Sequence, residues 1–283
     1  MDKIDLHVHT TASDGTMCPR DVVSLAAMLG LKAIALTDHD TMAGLQEAGE
    51  AGELLGVSIV PGIEISSDYK GKEVHILGYF LDPDKPQLQE YLQWVRDSRR
   101  QRNEKIIERL QKKGFDITLE GLEAENPGAT IGRPHMAQRL MDLGAVTSVK
   151  EAFRRYLDRG RSCYVPREFI PFEKGARLIR DCGGVAVLAH PLQYGFDRAA
   201  LDGLVKDAAA AKFTGMEILY PGYTQNDQNK LYDLAEKYGL LPTGGSDFHG
   251  ENKPGIQLGS GDGSLSVPAY MLAMLAMSQY QGG

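Results

Sequence analysis

Residues Ile4-Asp5-Leu6-His7-Val8-His9 alternate apolar and polar side chains over six positions. A period of two is that of a β-strand, in which every second residue shares a face. On this reading Asp5, His7 and His9 point one way, and Ile4, Leu6 and Val8 point the other. Two imidazoles two positions apart on one strand face can chelate a metal ion. A single such pair can arise by chance in a chain with seven histidines, so its meaning depends on whether the pattern recurs.

It recurs along the chain. Asp14 lies in a Ser-Asp-Gly turn just beyond the first strand, and His39 follows a second strand, Ala33–Thr37, in Thr-Asp-His-Asp. Glu64 closes Pro-Gly-Ile-Glu at the end of a third strand, which starts at Ser58–Val60 and continues through Glu64. His75 sits in Val74–Phe80, and His190 follows Val185–Ala189. Met216–Leu219 and Leu241–Thr243 are the last strands, with Asp247 and His249 next in Gly-Ser-Asp-Phe-His. Helix-length segments lie between them: Pro19–Leu29, Ala43–Leu55, Pro171–Asp181 and Gln228–Tyr238. Alternating strand and helix implies an α/β fold with a mainly parallel sheet. Seven strands in this length favour a closed or nearly closed barrel over an open sheet.

In a parallel barrel the C-terminal strand ends meet at one rim. Six of the seven histidines then converge there with at least three carboxylates, His135 being the exception. Imidazole and carboxylate together suit zinc, iron or manganese. The three cysteines, Cys18, Cys163 and Cys182, show no Cys-x-x-Cys spacing and read as reduced thiols. Nine ligands are too many for one tetrahedral ion but suffice for two or three divalent ions with positions open to water and substrate.

The stretch from Asp82 to Arg167 breaks the alternation. Gln87–Lys113 reads as a long charged helix ending at Gly114, and Arg133–Leu143 and Val149–Asp158 as shorter ones. Asn126-Pro127-Gly128 is a turn. The expected organisation is a barrel from residues 1–81 and 168–260, a helical insertion at 82–167 acting as a substrate cap, and a C-terminal tail at 261–283 with a short helix over Met271–Met277. Of 16 arginines, 12 fall in the insertion; Arg96, Arg99 and Arg100 read as a solvated helix surface. Arg133 opens a helix in Gly-Arg-Pro-His, where a guanidinium fork and a helix N-terminus both suit phosphate.

The formal net charge of −7 argues against wholesale binding of duplex DNA or an anionic membrane. No apolar run reaches the ~20 residues of a membrane span, and Met-Asp-Lys-Ile-Asp shows no leader pattern. A soluble, cytoplasmic chain is expected, with a monomer as the starting assumption.

These motifs, in this order, resemble the polymerase-and-histidinol-phosphatase family of metal-dependent phosphoesterases, and the resemblance runs from Asp5 to His249. It implies a distorted, TIM-like (β/α)7 barrel with a trinuclear site at its rim. By that resemblance His7, His9, Glu64 and Asp247 hold one ion, Glu64 bridges to a second held by His75 and His190, and Asp14, His39 and His249 hold a third. Asp14 stands where other members often carry histidine. The insertion, with Gly-Arg-Pro-His and the later Tyr164-Val165-Pro166, is similar to that of the branch acting on nucleoside 3′,5′-bisphosphates or on 5′-phosphorylated short single-stranded RNA.

The implied chemistry is hydrolysis of a phosphoester by water activated on the ions. Glu64, His249 and His190 are the candidate catalytic residues, either histidine being able to protonate the leaving oxygen if not committed to metal. Arg133, His135 and Arg161 are the candidate contacts to a second phosphate. Asp5, Asp38 and Asp40 are candidates to orient imidazoles, with a backbone cap or surface salt bridge as the commoner role. Two alternatives stand beside this reading: a general phosphatase of sugar phosphates or histidinol phosphate, and a non-catalytic metal-binding regulatory module.

Overall fold

A computed structural model describes residues 2–126 and 131–279, so Pro127 and Gly128 of the expected turn lie outside the described residues. In chain order the elements are β1 (Lys3–Val8), α1 (Pro19–Met28), β2 (Ala33–Leu36), α2 (Leu45–Leu55), β3 (Ser58–Tyr69), β4 (Lys72–Tyr79) and α3 (Pro86–Gln111). Then come α4 (Leu119–Glu125), α5 (Arg133–Asp142), α6 (Val149–Ala152), β5 (Ile170–Pro171), α7 (Phe172–Asp181), β6 (Val185–Leu188) and α8 (Arg198–Ala210). The chain finishes with β7 (Gly215–Leu219), α9 (Gln225–Tyr238), β8 (Leu241–Gly244), β9 (Val267–Pro268) and α10 (Tyr270–Gln279). Two compact units result: Met1–Glu90 with Phe169–Gly283, and Tyr91–Glu168.

The first unit is a mixed α/β barrel. Its strands follow the order β8-β7-β6-β4-β3-β2-β1-β9, with β5 paired to β3. The sheet nearly closes where β1 meets the chain after β8: Val8 bridges Phe248, and His9 N–H donates to the Phe248 carbonyl at 2.9 Å. Gly245 permits this approach, because a Cβ there would lie 2.3 Å from Cβ of His7. Ile4, Leu6, Ala33, Ala35, Leu77, Val187 and their neighbours fill the barrel interior. Ile34, Leu36, Val22, Val23 and Ala48 form a separate layer under α1 and α2.

Two expectations about the sheet are corrected. The sheet is not mainly parallel around β4. Lys70 and Gly71, at φ 53° and 81°, form a two-residue turn of the kind that joins antiparallel strands. β4 therefore runs antiparallel to both β3 and β6. His75 accordingly reaches the rim from near the start of its strand, not from its end.

Strict alternation in β1 is the second correction. Ile4 pairs with Ala33 and Asp5 with Ile34, but Val8 pairs with Leu36, so β1 carries one extra residue between Asp5 and Val8. Such a bulge re-aims side chains. Ile4 and Leu6 stay in the barrel interior while Val8 joins the layer under α1 and α2.

The segment after Gly259 is integral to the barrel. β9 pairs antiparallel with β1, and Met271 and Leu275 of α10 are buried in the barrel interior.

The second unit has its own core, including Ile106, Leu110, Met136, Leu140 and Leu157. The helix expected over Val149–Asp158 is α-helical only to Ala152 and continues as a π-turn, Phe153–Leu157. α4 was not anticipated; its N-terminus is capped by Thr118, which accepts from Gly121 N–H at 3.0 Å.

Candidate metal centre

The first unit brings all nine anticipated side chains together: His7, His9, Asp14, His39, Glu64, His75, His190, Asp247 and His249. They form overlapping sets whose ligand atoms lie within 4.8 Å of one another. Glu64 is at the centre and almost fully buried. Its Oε1 stands 2.9 Å from His75 Nδ1 and 3.0 Å from His190 Nε2. Its Oε2 stands 3.4 Å from His7 Nε2, 3.2 Å from His9 Nε2 and 3.1 Å from His39 Nδ1. One carboxylate thus faces five imidazoles.

Two further carboxylates flank the cluster. Asp247 Oδ1 lies 3.5 Å from His7 Nε2, 3.4 Å from His9 Nε2 and 3.3 Å from His249 Nδ1. Asp14 lies 3.3 Å from both His9 Nδ1 and His249 Nε2, and 3.9 Å from His39 Nε2. Backbone strain accompanies this placement: Asp40, His190 and Asp247, all at or beside the cluster, have φ of 52°, 23° and 54°. Non-glycine residues persist there, at about 1–3 kcal/mol each, only where surrounding structure holds them.

A supporting layer fixes these groups. Glu217, fully buried, takes His7 Nδ1 at 3.1 Å on one oxygen and the His190 backbone N–H at 2.8 Å on the other. Asp247 Oδ2 accepts from the Tyr220 hydroxyl at 2.7 Å and from the Lys253 ammonium. Glu217, Tyr220 and Lys253 were missed in the sequence. A carboxylate inside the apolar run Gly-Met-Glu-Ile-Leu was a usable signal for Glu217; loop residue Lys253 offered none.

The three other aspartates bind backbone amides. Asp5 accepts from Ser246 N–H at 2.8 Å and Gly259 N–H at 2.7 Å, tying β1 to the last strand's loop. Asp38 accepts from Thr10 N–H and Oγ1, both at 2.8 Å, and from Ser13 Oγ at 2.6 Å, which shapes the turn presenting Asp14. Asp40 accepts from Ser66 N–H at 3.1 Å. For Asp5 and Asp38, the capping role is the one seen.

The donor set fits divalent cations. Among the described residues, His7 Nε2, both nitrogens of His9, His39 Nδ1 and His190 Nδ1 are buried without a hydrogen-bond partner. An imidazole lone pair facing a carboxylate oxygen is repulsive unless a proton or a cation lies between them. Protonation is correspondingly favoured in the metal-free cluster. Burial opposes the charge on His9, yet Asp14 and Glu64 push its pKa up to about 9. Burial likewise opposes His75, which Glu64 pushes up to about 10. Burial would raise Glu64, but the imidazolium charges of His75 and His7 hold it well below the usual carboxylate range. His39 goes the other way, burial and its cationic neighbours pushing it down to about 3.

These shifts have a consequence for stability. An unfolded imidazole titrates near 6.5. Between that value and about 9 for His9 or 10 for His75, the folded state binds more protons than the unfolded state. Stability then falls as pH rises; His39, with its lowered pKa, acts only below 6.5 and in the opposite sense. The Tm of chelated protein is expected to fall between about pH 7 and pH 10, and the fall to be blunted when divalent metal is restored. A flat Tm across that range in the chelated protein would contradict this account.

Arg133, His135 and Arg161 lie in the other unit, Tyr91–Glu168. Arg133 Nη1 donates to the Leu157 carbonyl at 3.1 Å, at the end of the π-turn, and its guanidinium lies 5.6 Å from the Phe153 ring centroid and 5.7 Å from that of Tyr164. His135 Nδ1 accepts from Gly132 N–H at 3.2 Å and so caps α5. Arg161 is exposed.

Comparison with known proteins places this geometry. The PHP domain family matches residues 5–159. A 5′-3′ exoribonuclease of Haemophilus influenzae is 35% identical over 87% of this chain and 90% of its own. A 3′,5′-nucleoside bisphosphate phosphatase of Chromobacterium violaceum is 34% identical over 92% of this chain and 91% of its own. A solved structure from Bifidobacterium adolescentis, assigned to the metal-dependent phosphoesterases, superposes with a TM-score of 0.78 at 31% identity, covering 98% of this chain and 96% of that one.

Proposed function

This chain belongs to the PHP domain family, and on that premise we propose that it hydrolyses phosphate esters of nucleotides, nucleoside 3′,5′-bisphosphates first and 5′-phosphorylated short RNA second. That it is a hydrolase of phosphoester bonds follows from the family and sets aside the non-catalytic reading. The choice of substrate is supported by the names of the two relatives, one a bisphosphate phosphatase and the other an exoribonuclease. The observation that carries the reading is the convergence of nine imidazole and carboxylate side chains in one cluster with Glu64 among five imidazoles.

We assign His7, His9, Glu64 and Asp247 to one ion, Glu64, His75 and His190 to a second, and Asp14, His39 and His249 to a third, with zinc, manganese or iron as the candidates. Such ions, when bound, supply Lewis acidity that activates water and neutralises charge on phosphoryl oxygens. The protein's own part is positioning. Glu217 accepts the proton of His7 Nδ1, which leaves the Nε2 lone pair for the cluster. His249 Nδ1 donates to the Asp247 carbonyl at 2.9 Å, which turns its Nε2 lone pair toward Asp14. In that tautomer the ring proton of His249 is held by the Asp247 carbonyl and not turned to the cluster. Lys253 brings a positive charge beside Asp247, where phosphate charge has to be balanced.

Selection among substrates is assigned to Arg133, His135 and Arg161 of the helical unit. A charge-assisted hydrogen bond to phosphate is worth ~1.5–3 kcal/mol, or roughly 10- to 150-fold. Arg133→Ala is expected to lower kcat/KM for a nucleoside 3′,5′-bisphosphate by about that factor while changing turnover of an aryl phosphate little. Equal losses on the two substrates would sink the role given to Arg133.

A further inference from the structure

Charge is divided unevenly between the two units. Tyr91–Glu168 holds 16 Lys and Arg against 11 Asp and Glu, a surplus of five positive charges, whereas the rest of the chain holds 15 against 27. Some charges in the helical unit are neutralised locally. Arg100 pairs with Glu104 at 3.1 Å and Glu123 at 3.6 Å, Arg139 with Glu125 at 3.3 Å, and Arg155 with Glu151 at 3.2 Å.

Three further guanidiniums are held by backbone carbonyls. Arg102 Nε donates to the Val165 carbonyl at 2.9 Å, Arg109 to the Tyr164 carbonyl, and Arg133 to the Leu157 carbonyl while lying against the Tyr164 ring. Among the described residues none of the three engages a carboxylate. Each has five N–H donors and gives one to a neutral acceptor, so four remain for an outside anion. Arg102 is hemmed in further: burial, with Arg133, Arg167 and Arg99 close by, brings its pKa down to about 10.

An aromatic ring shares this flank. Trp94, the sole tryptophan, is 37% exposed and rests on Tyr91 with ring centroids 5.8 Å apart. On α3, Arg102 and Arg109 follow Trp94 at i+8 and i+15, which places all three within an arc of about 80° and a length of ~22 Å. A fully stacked strand advances about 3.4 Å per nucleotide, so the strip has room for roughly six.

We propose that this flank of the helical unit, built from Trp94, Arg102, Arg109, Arg133 and Tyr164, binds single-stranded nucleic acid, its guanidiniums taking phosphates and Trp94 stacking a base. Paired arginines and aromatics without base-edge readers are the chemistry of sequence-tolerant single-strand binding. The proposal rests on the nucleotide reading of the preceding subsection and extends it: substrates longer than a mononucleotide gain affinity from contacts at Trp94, Arg102 and Arg109, beyond the one given there to Arg133.

The test uses metal-loaded full-length protein and a phosphorothioate oligodeoxythymidylate decamer lacking a 5′-phosphate, read by Trp94 fluorescence and by anisotropy of a labelled decamer. Saturable quenching is expected, with log K falling against log salt at a slope of about −2 for three neutralised phosphates. Arg102→Ala and Arg109→Ala should each reduce that slope by about 0.7, and Trp94→Ala should weaken binding about 5- to 100-fold. Arg102→Lys should retain the slope, which separates lost charge from misfolding. Absence of quenching, or unchanged slopes in both alanine variants, overturns the strip. If RNA is hydrolysed normally while these variants bind like wild type, the strip fails and the proposed function stands. A decamer bound as expected by a protein inactive on every nucleotide phosphoester would leave the strip and sink the proposed function.

Discussion

Glu64→Gln is expected to lower kcat/KM by more than about 100-fold on every phosphoester substrate, because loss even of an outer partner of a metal ligand costs 10- to 100-fold. Metal content should fall with it. The substitution keeps shape and removes charge. It leaves five imidazoles, on five different elements or loops, facing a neutral amide whose nitrogen can only donate. No other carboxylate of the cluster compensates. Asp247 reaches His7, His9 and His249, and Asp14 reaches His9, His39 and His249, but neither is placed against His75 or His190. The check is metal analysis of purified protein alongside steady-state rates. Full metal occupancy together with near-wild-type turnover would refute the bridging role.

The second large effect belongs to Glu217, which holds His7 Nδ1 and the His190 backbone N–H. In Glu217→Gln the amide oxygen can keep the His190 backbone N–H, so the amide nitrogen is left to face His7 Nδ1. That nitrogen is a donor, and it forces the His7 proton onto Nε2, the atom facing Glu64 and Asp247. Metal affinity is then expected to fall about 10- to 100-fold. Titration of chelated protein with zinc or manganese reads this directly. An unchanged affinity would show that the His7 tautomer is not set by Glu217.

Much of the site was legible because its signals are local. Each of the nine side chains follows or sits in a recognisable strand, and strand ends in an α/β barrel share a rim. The helical interruption was legible from its lost period-two pattern. Less legible was β3, which runs on to Tyr69 through the polar Ser66, Ser67 and Asp68. Ser66 and Ser67 are buried by the hairpin with β4 and by β5, neither of which local hydropathy reveals. α10 was underestimated for a related reason: it is apolar on nearly every side, and only its place in the barrel interior decides which side is covered.

By itself the sequence determined which side chains make the cluster, that they lie on an alternating strand–helix framework, and that arginine concentrates between residues 82 and 167. Tertiary structure alone decided how they face one another. The extra residue in β1 exists only relative to the register of β2. The direction of β4 follows from its hairpin, and the hold on His7 comes from Glu217, a residue 210 positions away. The difference is physical. Residue type and strand parity are properties of a few neighbouring residues, whereas register, strand direction and hydrogen-bond partners are settled only when distant segments bury each other's surfaces.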